Sequence, residues 1–298
     1  MNPDHAVRGV AVFILLSSVI RSLLAWQSVG KGKQPAVSAR NLASAILKAV
    51  GGLLASLAIW LGLPIFLGSG IHESAAWLAM AAAASSILDF IASLLWRRPA
   101  KVERTLPLVA AAAILILGSG ALGFVLHLRS TPGGIDPIVC AHPPVLGRWR
   151  VATGGRTALT NHHHAQPPQQ DYAVDLVIDG PPDASFGQIV HAPVDGEVTI
   201  AEGKRSAGDG PAEGNLIVIQ TASGSDIWLA HLKEDSVKVA RGDKVRAGAP
   251  LAAVGDTGSA NSPHLHIHCE WNGRPVPIML GPGLPFAVRG DILGLQAK

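Results

Sequence analysis

The spacing of apolar residues divides the chain in two. Up to residue 128 they run together: Val10 to Trp26, Ala49 to Leu67, Ala75 to Trp96 and Leu106 to Leu128 are nearly charge-free at their centres. Most of these runs approach the ~20 residues that a spanning helix requires. The pattern predicts an N-terminal α-helical membrane domain of three to four transmembrane helices. The count turns on the first run, which Arg21 interrupts and which reads as a spanning or an interfacial helix. After residue 146 the apolar segments are short and separated by Gly turns: Gly187 to Ala201, Asn215 to Thr221, Asp226 to Leu232, Ser236 to Val239 and Pro250 to Val254. Many short strands with turn signals and little helical periodicity predict an all-β sandwich or barrel of ordinary domain size. Between the halves, Pro132, Gly133, Gly134, Pro137, Pro143 and Pro144 give residues 130–146 the character of a linker. The expected organisation is a membrane domain over 1–129, a linker over 130–146 and a β domain over 147–298.

Charge orients the first half. The loop after the first run holds Lys31, Lys33 and Arg40, and the loop after the third holds Arg97, Arg98, Lys101 and Arg104, whereas Gly68 to Glu73 has no Lys or Arg. Basic loops mark the cytoplasmic side, so everything after Arg129 is expected outside, for three helices or four. Residues 1–130 carry 11 Lys/Arg against 4 Asp/Glu, net +7, and residues 131–298 carry 13 against 17, net −4. The overall basicity therefore reflects topology, and a nucleic-acid partner is excluded for want of a basic patch. Hydrophobic residues make up 48% and charged residues 15% of the chain, an excess concentrated in the first half. No signal-peptide cleavage pattern follows the first run. The chain is expected to remain in the bacterial cytoplasmic (inner) membrane, with the lipid bilayer as a partner and the β domain extracytoplasmic or periplasmic. Several helices exceed the needs of an anchor, which points to a membrane protein as a further partner.

Candidate chemistry lies in the β half. In His264-Leu265-His266-Ile267-His268 a strand of period two puts three imidazoles on one face and Leu265, Ile267 and Cys269 on the other, toward an apolar core. The plain alternative is a His-rich solvent face of an edge strand. Upstream, Asn161, His162, His163 and His164 precede Asp175, a carboxylate embedded in the β-forming run Tyr172 to Ile178. Catalytic zinc takes three ligands from His and Asp/Glu and leaves one position open. One upstream His, Asp175 and one His of the triplet meet that count. His231, in Ile227-Trp228-Leu229-Ala230-His231-Leu232, adds another imidazole at a strand.

In order along the chain, Asn161-x-His163, the Tyr172-Ala173-x-Asp175-Leu176 strand, Ala230-His231-Leu232, Gly255-Asp256-Thr257-Gly258 and Ser262-Pro263-His264-Leu265-His266 resemble the motifs of LytM/lysostaphin-type zinc metallopeptidases. That family cleaves peptidoglycan cross-links, and the resemblance covers roughly Gly147 to the C-terminus. It implies a duplicated hybrid-motif β fold, peptidoglycan peptides as substrate, and Zn2+ held by His163, Asp175 and His266. It further implies His231 and His264 as unligated catalytic histidines, His264 moving protons to and from the reacting groups and His231 stabilising the oxyanion or sharing that work. The family places its first His only a few residues before the Asp, whereas here the polar insert Gln166 to Asp171 intervenes. His163 fits the Asn-x-His pattern, His162 is the alternative, and His164 is expected to face solvent. A fourth ligand would close the open site, so His268 reads as a rim residue. His191 reads as a polar strand end, Tyr172 as a packing residue, Trp228 as a core aromatic, and Trp271 as core or groove wall.

Rival functions can be weighed on residues. Ala192 to Val198 and Gly242 to Gly248 also resemble lipoyl-type and glucose-type phosphotransfer hybrid barrels. A carrier needs an exposed Lys after Asp195-Gly196, where Glu197 and Val198 stand instead. A phosphotransfer protein uses His pairs without an Asp ligand and faces the cytoplasm. The remaining alternative is a non-enzymatic peptidase-like protein that binds wall or regulates an amidase. Such proteins usually lack some zinc ligands, whereas all are present here. Cys140 and Cys269, the only cysteines, read equally as a disulfide or as two buried thiols.

Overall fold

The computed structural model describes residues 46–59, 79, 81–87, 106–164, 170–178, 180–181 and 183–296. The chain forms two compact units, Met1–His127 and Leu128–Lys298. In the first, residues 46–59 and 81–87 are helical, as is the helix Leu106–Arg129 that runs to its end. These helices approach one another through small residues: a side chain at Gly52 would collide with Ser86, and one at Gly118 with the backbone of Gly51. Ser56 and Ser86 donate their hydroxyls to the carbonyls of Gly52 and Ala82, one turn back in their own helices, so neither requires an outside partner. Large apolar side chains point outward instead, with Ile116 69% and Leu117 72% exposed. Among the described residues no helix is long and apolar enough to cross a membrane; side chains of the helix Leu106–Arg129 are described from Leu115 onward. The expected run Val10 to Trp26 and both basic loops lie outside the described residues, as do parts of the next two runs.

The second unit is mostly β-sheet. Its main sheet contains β2 (Gly147–Thr153), β3 (Val174–Val177), β5 (Gly196–Glu202), β6 (Leu216–Gln220), β7 (Ser225–Ala230), β8 (Lys244–Val245), β10 (Leu265–Trp271), β11 (Arg274–Val276) and β13 (Ile292–Leu295). The order is β13-β2-β3-β10-β7-β6-β5-β8, with β11 folded back antiparallel onto β10. Two small sheets complete the fold: β4 (Ile189–His191) with β9 (Pro250–Ala253), antiparallel, and β1 (Ile138–Val139) with β12 (Ile278–Met279), parallel. The end of the Pro/Gly-rich stretch is thus a strand of this unit, and Cys140 after it is fully buried.

Alternation builds the core. Val174 and Leu176 on β3, Ile227 and Leu229 on β7, and Leu265, Ile267 and Cys269 on β10 enter one apolar cluster with Trp149 and Ile217. Each large side chain buried there contributes roughly 1.5–3 kcal/mol. The run expected over Gly187 to Ala201 is split in two, because Ala192-Pro193-Val194-Asp195 turns between β4 and β5 and Pro193 has no N–H for a ladder. Ser236 to Val239 forms no strand; Lys238 N–H donates to the Leu251 carbonyl at 2.8 Å, and the Ser236 hydroxyl accepts the Ala253 N–H. Cys140 and Cys269 are buried free thiols, and burial pushes Cys269 up to about 12, so neither acts as a nucleophile near neutral pH. At the start of the unit Arg129 pairs with Asp291 at 2.7 Å, and the other oxygen of Asp291 accepts the Val288 N–H.

Leu229 sits on a strand paired on both sides, at 0% exposure. Leu229→Ala is expected to destabilise the β unit by about 2–5 kcal/mol, read as a lower urea midpoint with an unchanged slope. A loss below about 1 kcal/mol would mean that this site collapses around the cavity or that the side chain lies outside the core.

Candidate metal centre

The cluster is assembled by strand register. On β10, His266 lies opposite Asp175 of β3 on one side and Ala230 of β7 on the other. With Leu265 and Ile267 committed to the apolar core, period two sends His266 and His268 to the opposite face. Asp175 reaches that face by the same alternation, between Val174 and Leu176. His266 Nδ1–H donates to Asp175 Oδ1 at 2.9 Å. Both groups are buried, 2% and 4% exposed.

The other oxygen of Asp175 receives the histidine loop. His163 Nε2–H donates to Asp175 Oδ2 at 3.0 Å across twelve positions of sequence. His162 Nε2 lies farther away, at 3.9 Å, on a side chain 69% exposed, and its Nδ1 is hydrogen-bonded to Thr153 Oγ1 at 2.9 Å. Asn161 closes the spacing. Fully buried, it donates its amide to the carbonyls of Gly155, Asp171 and Ala173 and accepts the His163 N–H on Oδ1 at 3.0 Å. One side chain therefore ties the loop before the polar insert to the strand after it, and residues 165–169 of the insert lie outside the described residues.

Two more imidazoles line the cleft. His231 follows β7 in the left-handed region, φ 59°, a conformation that a non-glycine residue holds only where its surroundings enforce it. Its N–H donates to the Glu213 carbonyl, its carbonyl accepts the Gly255 N–H, and its Nδ1–H donates to the Thr257 carbonyl at 2.8 Å. Thr257 is fixed in turn: its hydroxyl donates to the Leu232 carbonyl and accepts the Asn215 N–H. Gly258 has φ +72°, and a side chain there would strike the backbone of Ala212 and Gly214, which accounts for the glycine ending Gly255-Asp256-Thr257-Gly258. His264 donates Nδ1–H to the Ser262 carbonyl at 2.8 Å, leaving Nε2 directed inward, 3.9 Å from Asp175 Oδ1. The rings of His231 and His264 are 4.6 Å apart. The cleft measures about 610 Å³ and is lined by these groups together with Gln170, Glu213 and Asn261.

Burial and hydrogen bonding set the charges. Burial alone would raise Asp175, but the hydrogen bonds from His163 and His266 hold it well below the usual carboxylate range, so it is ionised. Burial lowers His266 to about 3 despite Asp175. His231 falls to about 4, through burial and then the neighbouring His264. Near neutral pH His231 and His266 are thus neutral and Asp175 is ionised, and the ligand atoms of His162, His163 and Asp175 lie within 4.8 Å of one another. His162 appears in that trio because its Nε2 is near, but its exposure and its bond to Thr153 make His266, buried at 2.9 Å from Asp175, the better-held donor.

The other sequence-derived residues fall around this cluster. His164 lies outside it, 3.6 Å from Asp171. Tyr172 packs edge-on to Phe286 at 6.4 Å, and Trp271 is 50% exposed. His191 ends β4, 5.3 Å from the ring of His142. His268 is not a rim residue: it is 2% exposed, because the cross-strand neighbour Trp228 stacks over it at 5.4 Å and 13°. Asn161, Asn215 and Thr257 were read as motif letters or passed over. The signal for Asn161 was its place beside the His triplet; for the other two, a polar residue between apolar runs.

A β-sheet domain built around a buried His/Asp donor set is the class defined by this fold and site. Residues 181–278 match the profile of Peptidase family M23. The match includes His231, His264 and His266 and begins after Asp175. The peptidoglycan DD-endopeptidase ShyA of Vibrio cholerae serotype O1 is 36% identical over 69 residues, 23% of this chain and 16% of ShyA; the chain thus spans about a sixth of that relative. Among solved structures, the catalytic domain of lysostaphin from Staphylococcus simulans is 28% identical, covering 33% of this chain and 65% of that one at a TM-score of 0.26. A zinc-containing peptidase from Vibrio cholerae is 24% identical, covering 46% and 38% at 0.34.

A pH dependence follows from two of the buried histidines, His231 and His266. Each has a folded pKa below its ordinary value of 6.5, so the unfolded chain takes up protons that the folded unit refuses. Stability is full above 6.5 and falls as pH drops toward 4, with a slope of up to about 1.4 kcal/mol per pH unit for each group. Asp175, likewise depressed, adds its loss only below about 4. Urea midpoints of the metal-free protein at pH 7.5, 5.5 and 4.5 test this, and equal stability at all three would contradict it.

Proposed function

We propose that the chain is a membrane-anchored zinc metalloendopeptidase that hydrolyses peptide bonds of peptidoglycan. One observation carries the reading: Asp175 is gripped between His163 and His266, while His231 and His264 face the same cleft with their Nδ1 protons tied to backbone carbonyls. The donor set fits zinc, since two neutral imidazoles and a carboxylate are the ligands of many catalytic zinc sites. His163, Asp175 and His266 would hold the ion. When bound, zinc lowers the pKa of a water from ~15.7 to about 7, which supplies a nucleophile at neutral pH. The match of residues 181–278 to Peptidase family M23 supports peptidase chemistry, and the likeness to the peptidoglycan DD-endopeptidase ShyA supports peptidoglycan as substrate.

The tautomers assign work to the remaining histidines. His264 presents a bare Nε2 to the cleft, so it takes the proton of the attacking water and returns one to the leaving amine. His231 is neutral with Nδ1–H committed, so its Nε2 accepts a proton before it can donate one. Of its two expected roles, sharing the proton work fits better than stabilising an oxyanion. The non-enzymatic alternative has no observation in its favour, because all five side chains face one cleft.

Metal analysis and digestion of defined muropeptides by the purified full chain test the assignment. His266→Ala is expected to abolish stoichiometric zinc; His264→Ala is expected to keep zinc and lose about 10²–10⁴-fold in turnover. Full zinc retention by His266→Ala would overturn the ligand set. His163→Ala should lose more zinc than His162→Ala, and equal, mild losses would exclude both as ligands.

Anchoring in the cytoplasmic membrane, with the β domain outside, is part of the proposal. It is supported by the apolar runs and by the basic loops, and the exposed Ile116, Leu117, Phe124 and Leu126 are compatible with it. The chain is expected to resist alkaline carbonate extraction, and its β domain to be cut by protease added to intact spheroplasts. Recovery in the carbonate supernatant would reject the anchor.

A further inference from the structure

Behind the ligand cluster, a second line of polar groups runs along β10. The ring of His266 uses Nδ1 toward Asp175, and its Nε2 lies 2.9 Å from His268 Nδ1. His268 Nε2 in turn lies 3.4 Å from Glu270 Oε1. His266, His268 and Glu270 alternate on one strand, so the backbone sets the spacing of the whole line. Trp228, the cross-strand neighbour of His268 on β7, stacks flat against its ring and fixes its plane. A polar line this deep is costly unless every member is satisfied, and the mechanism above uses none of it beyond His266.

Proton direction decides what the line does. While His266 donates Nδ1–H to Asp175, its Nε2 can only accept, so His268 must give up its Nδ1 proton inward. A neutral His268 then has no proton left for Glu270, and His268 Nε2 is indeed a buried nitrogen without a hydrogen-bond partner. If His266 Nδ1 instead serves as a ligand atom, its one proton moves to Nε2. His266 then donates to His268 Nδ1, His268 Nε2–H points to Glu270, and each donor has an acceptor out to the carboxylate.

We propose that His268 and Glu270 are positioning residues that hold His266 in the tautomer and orientation in which Nδ1 binds the metal. This rests on the zinc reading of the site given above. Ligating histidines ordinarily pass their other N–H to a carboxylate or carbonyl, and loss of that partner costs on the order of 10–100-fold in metal affinity. Here one imidazole is interposed between ligand and carboxylate.

The test is zinc affinity of the full-length protein, measured by competition with a chromophoric chelator, beside thermal unfolding of the metal-free form and the visible spectrum of the cobalt-substituted form. His268→Phe keeps a ring against Trp228 and removes both nitrogens; it is expected to weaken zinc about 10–100-fold and to alter the cobalt bands. His268→Gln restores an acceptor for His266 and is expected to recover most of that loss. Glu270→Ala, at a side chain 14% exposed, should lose the lower part of the range and keeps the test open should His268→Phe fail to fold. Metal-free melting of the folded variants is expected to stay close to that of the unaltered protein. If His268→Phe, or Glu270→Ala where the former does not fold, binds zinc as tightly as the unaltered protein, the relay is overturned while the zinc reading stands. Affinity loss matched by an equal loss of metal-free stability would reduce the line to a structural role and overturn the proposal. If the unaltered protein binds no zinc, the reading of the site fails first.

Discussion

Everything in the β domain depends on the register between β3 and β10. Asp175 and His266 are direct partners across that ladder, and a slip of one residue would carry both to the apolar face and expose Val174, Leu176, Leu265 and Ile267. The apolar alternation that fills the core is thus the same pattern that aligns the polar cluster. β10 is clamped by β3 on one side and β7 on the other, so His266 has no edge freedom. A buried, ionised carboxylate in this position costs several kcal/mol unless it is hydrogen-bonded. The two imidazoles that flank Asp175 supply those bonds, which makes the site part of the fold and not an addition to it.

What the sheet cannot supply, bracketing polar side chains do. His163, His231 and His264 all lie beyond strand ends, where the backbone is less constrained. Asn161 spans the polar insert with bonds to three carbonyls, and Asn215 with Thr257 binds the turn after β7 to Gly255–Gly258. Each bracket fixes a loop whose histidine then has one nitrogen committed and the other free. The left-handed backbone at His231 is held the same way, by hydrogen bonds on both its N–H and its carbonyl.

Much of this was legible because period two is a strong signal. The His264–His268 triplet and Asp175 among β-formers could be placed on one face without knowing their partners, and Leu265, Ile267 and Cys269 on the other. His268 was misread because a polar residue on a strand face is ordinarily taken as exposed; it is covered by Trp228, a tertiary contact that spacing does not reveal. The distance between His163 and Asp175 looked long for the same reason, since closure by Asn161 depends on three carbonyls that have no side-chain signature. Ser236 to Val239 had the composition of a strand and runs beside β9, but its bonds to Leu251 and through the Ser236 side chain to Ala253 do not build a regular ladder. For the N-terminal half, composition and charge led to an expectation of spanning helices, and among the described residues no helix is long and apolar enough to cross a membrane.

Metal binding and stability are coupled by the way the cluster is built. The protons that His163 and His266 donate to Asp175 occupy the ring nitrogens a cation would need, so binding must displace them and replace two hydrogen bonds with coordination. In His266 the displaced proton has a place to go within the same ring, toward His268, without moving any heavy atom. His163, on a loop and partly exposed, has no such buried acceptor among its recorded partners and can release its proton to water. The two proposed ligands therefore differ in kind: His266 is held by the sheet and by the line behind it, and His163 by the backbone bond to Asn161 and its ring's bond to Asp175. On the proposed assignment, that asymmetry would make the loop histidine the one whose position adjusts as a metal enters, while the strand histidine and Asp175 would define where it sits.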